Sequence, residues 1–323
     1  MMKRFFSMSL VAISLMSGSI QAYAEQITLR VGHFPNITHA QGVIAHQLSR
    51  QGKGWFEQRL GADVNIEWYV YNAGPSAMEA IFANALDVTY VGPNPSINAY
   101  VKSNGEEIRI LAGSTNGGAA LVVQGDGRIQ KPEDFRSKKI ATPQLGNTQD
   151  ISCRSWLIAQ GYNVTQTGGD VFVLPTANPD QLALFAKGDI DGVWTVEPWV
   201  SRLELEANGK MYLEEPEAIT TVLASSVKFL NDHRDLAKKF ADAHAELTAW
   251  IQANPAEAQA LIQAELKEET SKEISTELLT HAWPRLHFTN DITVEALQKF
   301  IASAKSVGFL REEIDFTKLI EKP

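Results

Sequence analysis

Two stretches of the chain repeat one pattern of apolar and polar positions. Residues 178–209, NPDQLALFAKGDIDGVWTVEPWVSRLELEANG, and residues 74–105, GPSAMEAIFANALDVTYVGPNPSINAYVKSNG, align without gaps at an offset of 104 (178 − 74). Pro179 falls on Pro75, Leu182 on Met78, Asp191 on Asp87, Trp194 on Tyr90, and Asn208-Gly209 on Asn104-Gly105. Each copy starts a helix at Pro, turns into a short apolar strand, passes a Pro-bearing turn and ends a second helix at Asn-Gly, where the Gly suits a left-handed cap. A buried strand between two helices is half of a parallel α/β sheet. Two copies therefore predict two sheets and two lobes. A repeat spaced so widely is lobe duplication, not a stacked array.

The remaining sequence alternates in the same manner. Strands are predicted at 27–31, 64–71, 107–112, 119–124, 139–142 and 171–174, from alternating or short unbroken apolar runs bounded by turn residues. Thr38 followed by Gln41 has capping-box spacing and opens a helix over 39–50. Asn147 is placed to cap a helix over 148–160, with Asp150 at its third position. The C-terminal part reads as helices over 233–253, 255–268, 275–281 and 293–307. The Gly-rich stretch 113–118 is the expected crossing between lobes, and the extended 219–225 the return. The expected fold class is α/β, with two lobes joined by a two-strand hinge around a ligand cleft. Lobe 1 takes 25–117 and 220–323, and lobe 2 takes 118–219.

A chain of 323 residues can bury two full cores. Its net charge of −9, with no basic stripe, excludes nucleic acid as a partner. Lys3 and Arg4, an apolar run over 9–18 and Ala22-Tyr23-Ala24 predict a signal peptide over 1–24, removed after Ala24. The run is too short and too broken by serines to serve as an anchor. Cleavage removes two positive charges and leaves about −11 (−9 − 2). No Cys follows the cleavage site, so the mature chain is expected free in the periplasm, as a monomer. Cys153 stands alone, which excludes an intrachain disulfide. Its apolar neighbours predict a buried helix thiol, and no base that would activate it is in view.

Ligands of α/β sheets sit beyond the carboxyl ends of the strands. That rule points to loops 32–39, 92–96, 142–149 and 194–198, and three of these carry a resemblance. Gly32-His33-Phe34-Pro35-Asn36-Ile37-Thr38-His39-Ala40 resembles the first strand-to-helix loop of solute-binding proteins in the nitrate/sulfonate/taurine family of ABC importers. Thr142-Pro143-Gln144-Leu145-Gly146-Asn147-Thr148-Gln149-Asp150, with Arg154-Ser155-Trp156-Leu157, is similar to the same family. So is Asp191-Gly192-Val193-Trp194-Thr195-Val196-Glu197-Pro198-Trp199. The resemblance runs from about 27 to 231. It implies a type II periplasmic binding protein that closes on a small anion and delivers it to an inner-membrane ABC permease, with no enzymatic activity and no cofactor. The 142–149 motif with Arg154 looks closest to members serving alkanesulfonates or sulfate esters; nitrate or another anion is the alternative ligand.

Helix N-termini offer unpaired N–H groups and partial positive charge, ready sites for anions. Two such ends, near Thr38-His39 and at Asn147-Thr148-Gln149, would converge on one oxyanion when the lobes close. Thr38, Thr115 and Thr148, with Asn36, Asn94, Asn147 and Gln149, supply neutral donors; Thr38, Asn94 and Asn147 read equally well as plain caps. Arg154 lies two turns past Asn147, either reaching the mouth to grip two oxygens or pairing with Asp150 on the helix surface. His39 is a candidate ligand contact or an ordinary loop residue. Trp194 and Trp199 would wall an organic tail or pack as core. Glu197 would accept from a ligand, latch onto the opposite lobe, or cap the following helix. His33 and His39 lack a third partner, so no metal site is expected. The His281, Trp283, Arg285, His287 cluster has no place on the cleft from sequence. Two further functions stay in view. A periplasmic sensor needs the same closure, whereas a pyrimidine-forming thiamine synthase needs a cysteine-rich motif that this chain lacks.

Overall fold

The computed structural model describes residues 26–323, so the expected signal peptide lies outside the described residues. Thirteen strands are described: β1 Ile27–His33, β2 Val64–Val70, β3 Val88–Val91, β4 Ile108–Gly117, β5 Ala119–Gln124, β6 Lys139–Thr142, β7 Val164–Thr165, β8 Gly168–Gly169, β9 Phe172–Pro175, β10 Gly192–Val196, β11 Gly209–Glu214, β12 Ile219–Ser226 and β13 Leu286–Phe288. The helices are α1 Ala40–Arg50, α2 Glu57–Leu60, α3 Gly74–Phe82, α4 Pro93–Lys102, α5 Thr148–Ala159, α6 Asn178–Lys187, α7 Trp199–Glu206, α8 Val227–Asp232, α9 Arg234–Ala253, α10 Pro255–Thr270, α11 Thr276–Ala282 and α12 Val294–Ser306.

The strands form a six-stranded sheet, β13-β4-β12-β3-β1-β2, and a five-stranded sheet, β11-β5-β10-β6-β9, with β7 and β8 as a separate hairpin. In each, a parallel half (β2, β1, β3; β9, β6, β10) meets antiparallel strands. The protein is thus a two-lobed α/β molecule. Its first sheet is sandwiched between one core built from α1, α9 and α10 and another built from α3, α4 and α12. Phe56 stacks on Phe240 with ring centroids 4.1 Å apart. Both are fully buried, and each such side chain contributes about 1.5–3 kcal/mol.

The two copies of the sequence repeat occupy equivalent places, as α3-β3-α4 and α6-β10-α7. The matched aspartates explain why. Asp87 Oδ2 accepts the Arg30 N–H at 2.9 Å, and Asp191 Oδ2 accepts the Lys139 N–H at 2.9 Å. Each aspartate therefore ties the start of its own strand to the neighbouring parallel one. The left-handed residue that ends each copy is the Asn, at φ 51 for Asn104 and 54 for Asn208. Gly105 is also left-handed, but Gly209 has already joined β11, so the expected Gly cap applies to the first copy alone.

Local expectations fail where tertiary partners compete. The Thr38/Gln41 capping box does not form. A 3-10 turn, Ile37–His39, precedes α1. Gln41 bonds instead to Ser114 and to Thr248. The 113–118 link is also shorter than expected, because β4 continues through Gly117. The chain changes sheets at Gly117 and Gly118, both at positive φ (74 and 72), and returns through 215–218. A Cβ on Gly117 would sit 2.3 Å from the Arg285 carbonyl and 2.8 Å from that of Pro216. Only glycine allows the outgoing strand to lie so near the returning one.

Candidate functional site

The loops at the carboxyl ends of the parallel strands meet between the two sheets and line a small cavity. Its lining is Phe34, Asn36, Thr38, His39, Asn72, Ala73, Gly74, Gly92 and Pro95 from one side. From the other come Pro143, Asn147, Thr148, Gln149, Asn178 and Val196, with Thr220 at the return crossing. Water centres have about 20 Å³ of room there. Adding the radius of a water gives an envelope about 3 Å in radius. That is the scale of a tetrahedral oxyanion head.

The lobes touch at several points beside this cavity. Asn72 Nδ2 donates to the Pro143 carbonyl (3.2 Å), Ser76 and Gln144 exchange bonds of 3.1 and 3.3 Å, and the Asn94 N–H donates to Thr148 Oγ1 (3.3 Å). The Ile37 N–H donates to the Glu197 carbonyl (3.1 Å), and Trp199 Nε1 to Asn36 Oδ1 (3.0 Å). At Gly92 an added Cβ would fall 2.4 Å from Thr148 Oγ1. The absent side chain is what admits the threonine from the facing lobe.

Each polar group has a defined role. Asn147 caps α5 through Oδ1, which accepts the Asp150 N–H at 2.8 Å, while its Nδ2 donates to Gln149 Oε1 at 3.1 Å. This leaves the first N–H groups of α5 at the cavity wall, with the helix dipole behind them. Asn36 has its oxygen committed to Trp199, so its amide N–H₂ is the free end. His39 is buried and packs tilted against Phe34, ring centroids 4.2 Å apart. Burial, helped by the nearby His33, holds its pKa well below the usual imidazole value. Because Nδ1 accepts the Phe34 N–H (3.3 Å), the single ring proton sits on Nε2. His39 is thus a neutral donor. No Lys, Arg, Asp or Glu is among the lining residues.

Six of the sequence candidates line the cavity: Asn36, Thr38, His39, Asn147, Thr148 and Gln149. Five do not. Asn94 turns its Nδ2 to the Phe300 carbonyl (3.1 Å) and so anchors α12. Thr115 lies within β4, its carbonyl accepting from Thr220 (3.0 Å) and its hydroxyl buried without a partner among the described residues. Arg154 is buried rather than reaching the mouth. Its Nε spans Asp150 (3.0 and 3.1 Å), and its other nitrogens donate to the Thr165 and Val173 carbonyls (2.7 and 3.3 Å). The pair with Asp150 was foreseen as a surface contact; packing against β7 and β9 makes it an internal one.

Trp194 is also core, edge-on to Trp156 at 6.2 Å with Nε1 donating to Glu215 (3.2 Å). Glu197 combines two of the roles weighed for it. It accepts from the Ser201 N–H and hydroxyl (3.1 and 2.9 Å), capping α7, and pairs with Arg285 Nη1 at 2.8 Å. Burial pushes its pKa up, against the pull of Arg285. Arg285 also holds Glu204 (2.9 Å), and His281 bonds to Ser201 (2.9 Å). The C-terminal cluster therefore latches the five-stranded lobe to the six-stranded one. Cys153 is buried, and burial raises its thiol pKa. Sequence reasoning missed five cavity residues: Asn72, Ala73, Gly74 and Asn178, which follow β2 and β9, and Thr220, at the start of β12. The strand-end rule covers the loops after β2 and β9 as well.

A family model described as NMT1-like matches residues 22–266. The taurine-binding periplasmic protein of Escherichia coli (strain K12) is 26% identical over 214 residues. The match takes in 64% of this chain and 62% of that protein, less than two thirds of the relative's length. A putative aliphatic sulfonates-binding protein of Bacillus subtilis (strain 168) is 25% identical over 256 residues, 76% of this chain and 74% of the other. The solved alkanesulfonate-binding protein SsuA from Xanthomonas axonopodis pv. citri, bound to MOPS, shares the fold. Its TM-score is 0.75 at 16% identity, with 93% of this chain and all of that one covered. The family match spans about three quarters of the sequence, and the chain belongs to the NMT1-like family.

Proposed function

We propose that the mature chain is the solute-binding component of an ABC importer, capturing a small sulfur oxyanion, an alkanesulfonate or sulfate ester, in the periplasm. It then hands this ligand to an inner-membrane permease. One observation carries the reading: a small, uncharged cavity at the N-terminus of α5, lined by neutral donors from both lobes. Such a lining stabilises a fixed negative charge through short, oriented N–H and O–H dipoles. The mature chain's bulk charge of about −11 (−9 − 2) does not oppose it, because charges on the far surface are screened within about 10 Å. The names of the sulfonate- and taurine-binding relatives support the same ligand class. Among the described residues no helix is long and apolar enough to cross a membrane. In this reading lobe 1 comprises 25–117 and 220–323 and lobe 2 comprises 118–219, and the protein binds rather than catalyses.

The lining also discriminates among sulfonates. Taurine carries an ammonium, and no carboxylate lines the cavity to pair with it. An unpaired buried ammonium costs several kcal/mol. Calorimetric titration of the mature protein is therefore expected to rank short alkanesulfonates or sulfate esters at least tenfold tighter than taurine, with nitrate weaker than either sulfur class. Absence of heat with every small anion would remove the proposal. Tight taurine binding would retain a transport role but refute this account of the lining.

A further inference from the structure

A second polar cluster lies behind the ligand loop, inside the six-stranded lobe. The sequence had paired His33 with His39, but the fold turns His33 the other way. At the end of β1 it faces His46 from α1 and two carboxylates of α10, Glu265 and Glu269. The last two are four residues apart and so share one helix face. One ligand-type atom from each of the four lies within 4.8 Å of all the others. His33 Nε2 is 3.0 Å from His46 Nδ1 and 3.0 Å from Glu269 Oε1. His46 Nδ1 is 2.8 Å from Glu265 Oε1 and 3.2 Å from Glu269 Oε1. All four side chains are at least nine-tenths buried.

Ring protons alone do not satisfy this arrangement while both carboxylates are ionised. With both carboxylates ionised, the nitrogen–nitrogen contact requires that one imidazole carry a proton there and the other a lone pair. If His33 Nε2 is bare, it faces Glu269 Oε1 lone pair to lone pair. If His46 Nδ1 is bare, it faces two carboxylate oxygens in the same way. If both are protonated, two N–H groups oppose each other at 3.0 Å. Glu269 Oε2 adds a further buried oxygen with no partner among the described residues.

We propose that His33, His46, Glu265 and Glu269 bind one divalent transition-metal ion of the zinc class. Two imidazoles and two carboxylates are a fitting donor set for such an ion. Bonds of about 2.0–2.1 Å place neighbouring tetrahedral ligands about 3.3 Å apart, close to the four separations of 2.8–3.2 Å above. Outer partners orient the ligands. His33 Nδ1 donates to the Phe34 carbonyl (3.2 Å), which turns the Nε2 lone pair to the centre. Arg50 Nε holds both oxygens of Glu265 at 3.0 Å, and Trp68 stacks on His46 at 5.1 Å. The two carboxylates balance the ion's charge, and His46, the most exposed of the four, marks the way in. A bound ion pins α10 to α1 and to the strand end that leads into Phe34 and Asn36. It braces the ligand loop from behind without touching ligand.

Chelator-treated mature protein, titrated with zinc chloride against a chromophoric chelator, is expected to take up one ion per chain. Glu269→Gln and His46→Gln each remove a direct ligand and should weaken uptake by at least about 100-fold, the upper end of what losing an outer partner costs. Zinc should raise the melting temperature of the wild-type protein and leave both variants unmoved. Zinc-edge X-ray absorption on the wild-type protein should show four N/O neighbours at about 2.0 Å with imidazole scattering, a readout independent of whether the variants fold. No uptake by the wild-type chain, uptake unchanged in both variants, or a first shell of six oxygens would each overturn the proposal. The cluster would then be a proton-sharing one.

Discussion

At the scale of single residues, the site depends on His39 being a donor without being a charge. Burial lowers its pKa well below the usual value of about 6.5, and the Phe34 N–H fixes which nitrogen carries the proton. A sulfonate stays ionised throughout the accessible pH range. Affinity is therefore expected to change less than about threefold between pH 5.5 and 8, since the proton on Nε2 is present at both ends. An imidazolium in contact with the anion would behave otherwise, with affinity falling as pH rises through about 6.5. A tenfold loss over that interval, measured by calorimetry at constant ionic strength, would contradict the assignment.

At the scale of elements, the 142–149 loop and the start of α5 are held by one buried carboxylate. Asp150 accepts from Thr142 Oγ1 and the Gly146 N–H, each at 2.9 Å, and pairs with Arg154. Removing the guanidinium leaves that charge uncompensated, so Arg154→Ala is expected to cost about 3–5 kcal/mol of stability in denaturant unfolding. Weakened ligand binding with stability intact would instead return Arg154 to the ligand. Arg154 also shows which features can be read from sequence. The Asn147 cap and the paired aspartates of the repeat are local or strand-adjacent, so spacing alone revealed them. The helix-face geometry of Arg154 permitted two outcomes, and distant carbonyls at Thr165 and Val173 decided between them. Asn94 reads from sequence as a ligand donor or a cap for the same reason, its actual partner Phe300 lying 206 residues away. Gln41 had the spacing of a cap and lost it to Ser114.

At the scale of the whole molecule, the two-lobed α/β architecture was legible because each lobe repeats one strand-and-helix pattern. The contacts that close the lobes were not. They join residues such as Asn72 with Pro143 and Glu197 with Arg285, which share no local motif. The C-terminal helices could be recognised only as helices. Their part, supplying the Arg285 latch and two carboxylates of the histidine cluster, exists only in three dimensions. The central claim is that both lobes close on one small oxyanion. The most direct measurement is a crystal structure with a short alkanesulfonate, located by the anomalous signal of its sulfur. The account predicts a sulfur peak inside the cavity, with the sulfonate oxygens within hydrogen-bonding distance of His39 or Asn36 on one side and of Thr148 or Gln149 on the other. A peak elsewhere, or one contacted by a single lobe, would contradict it.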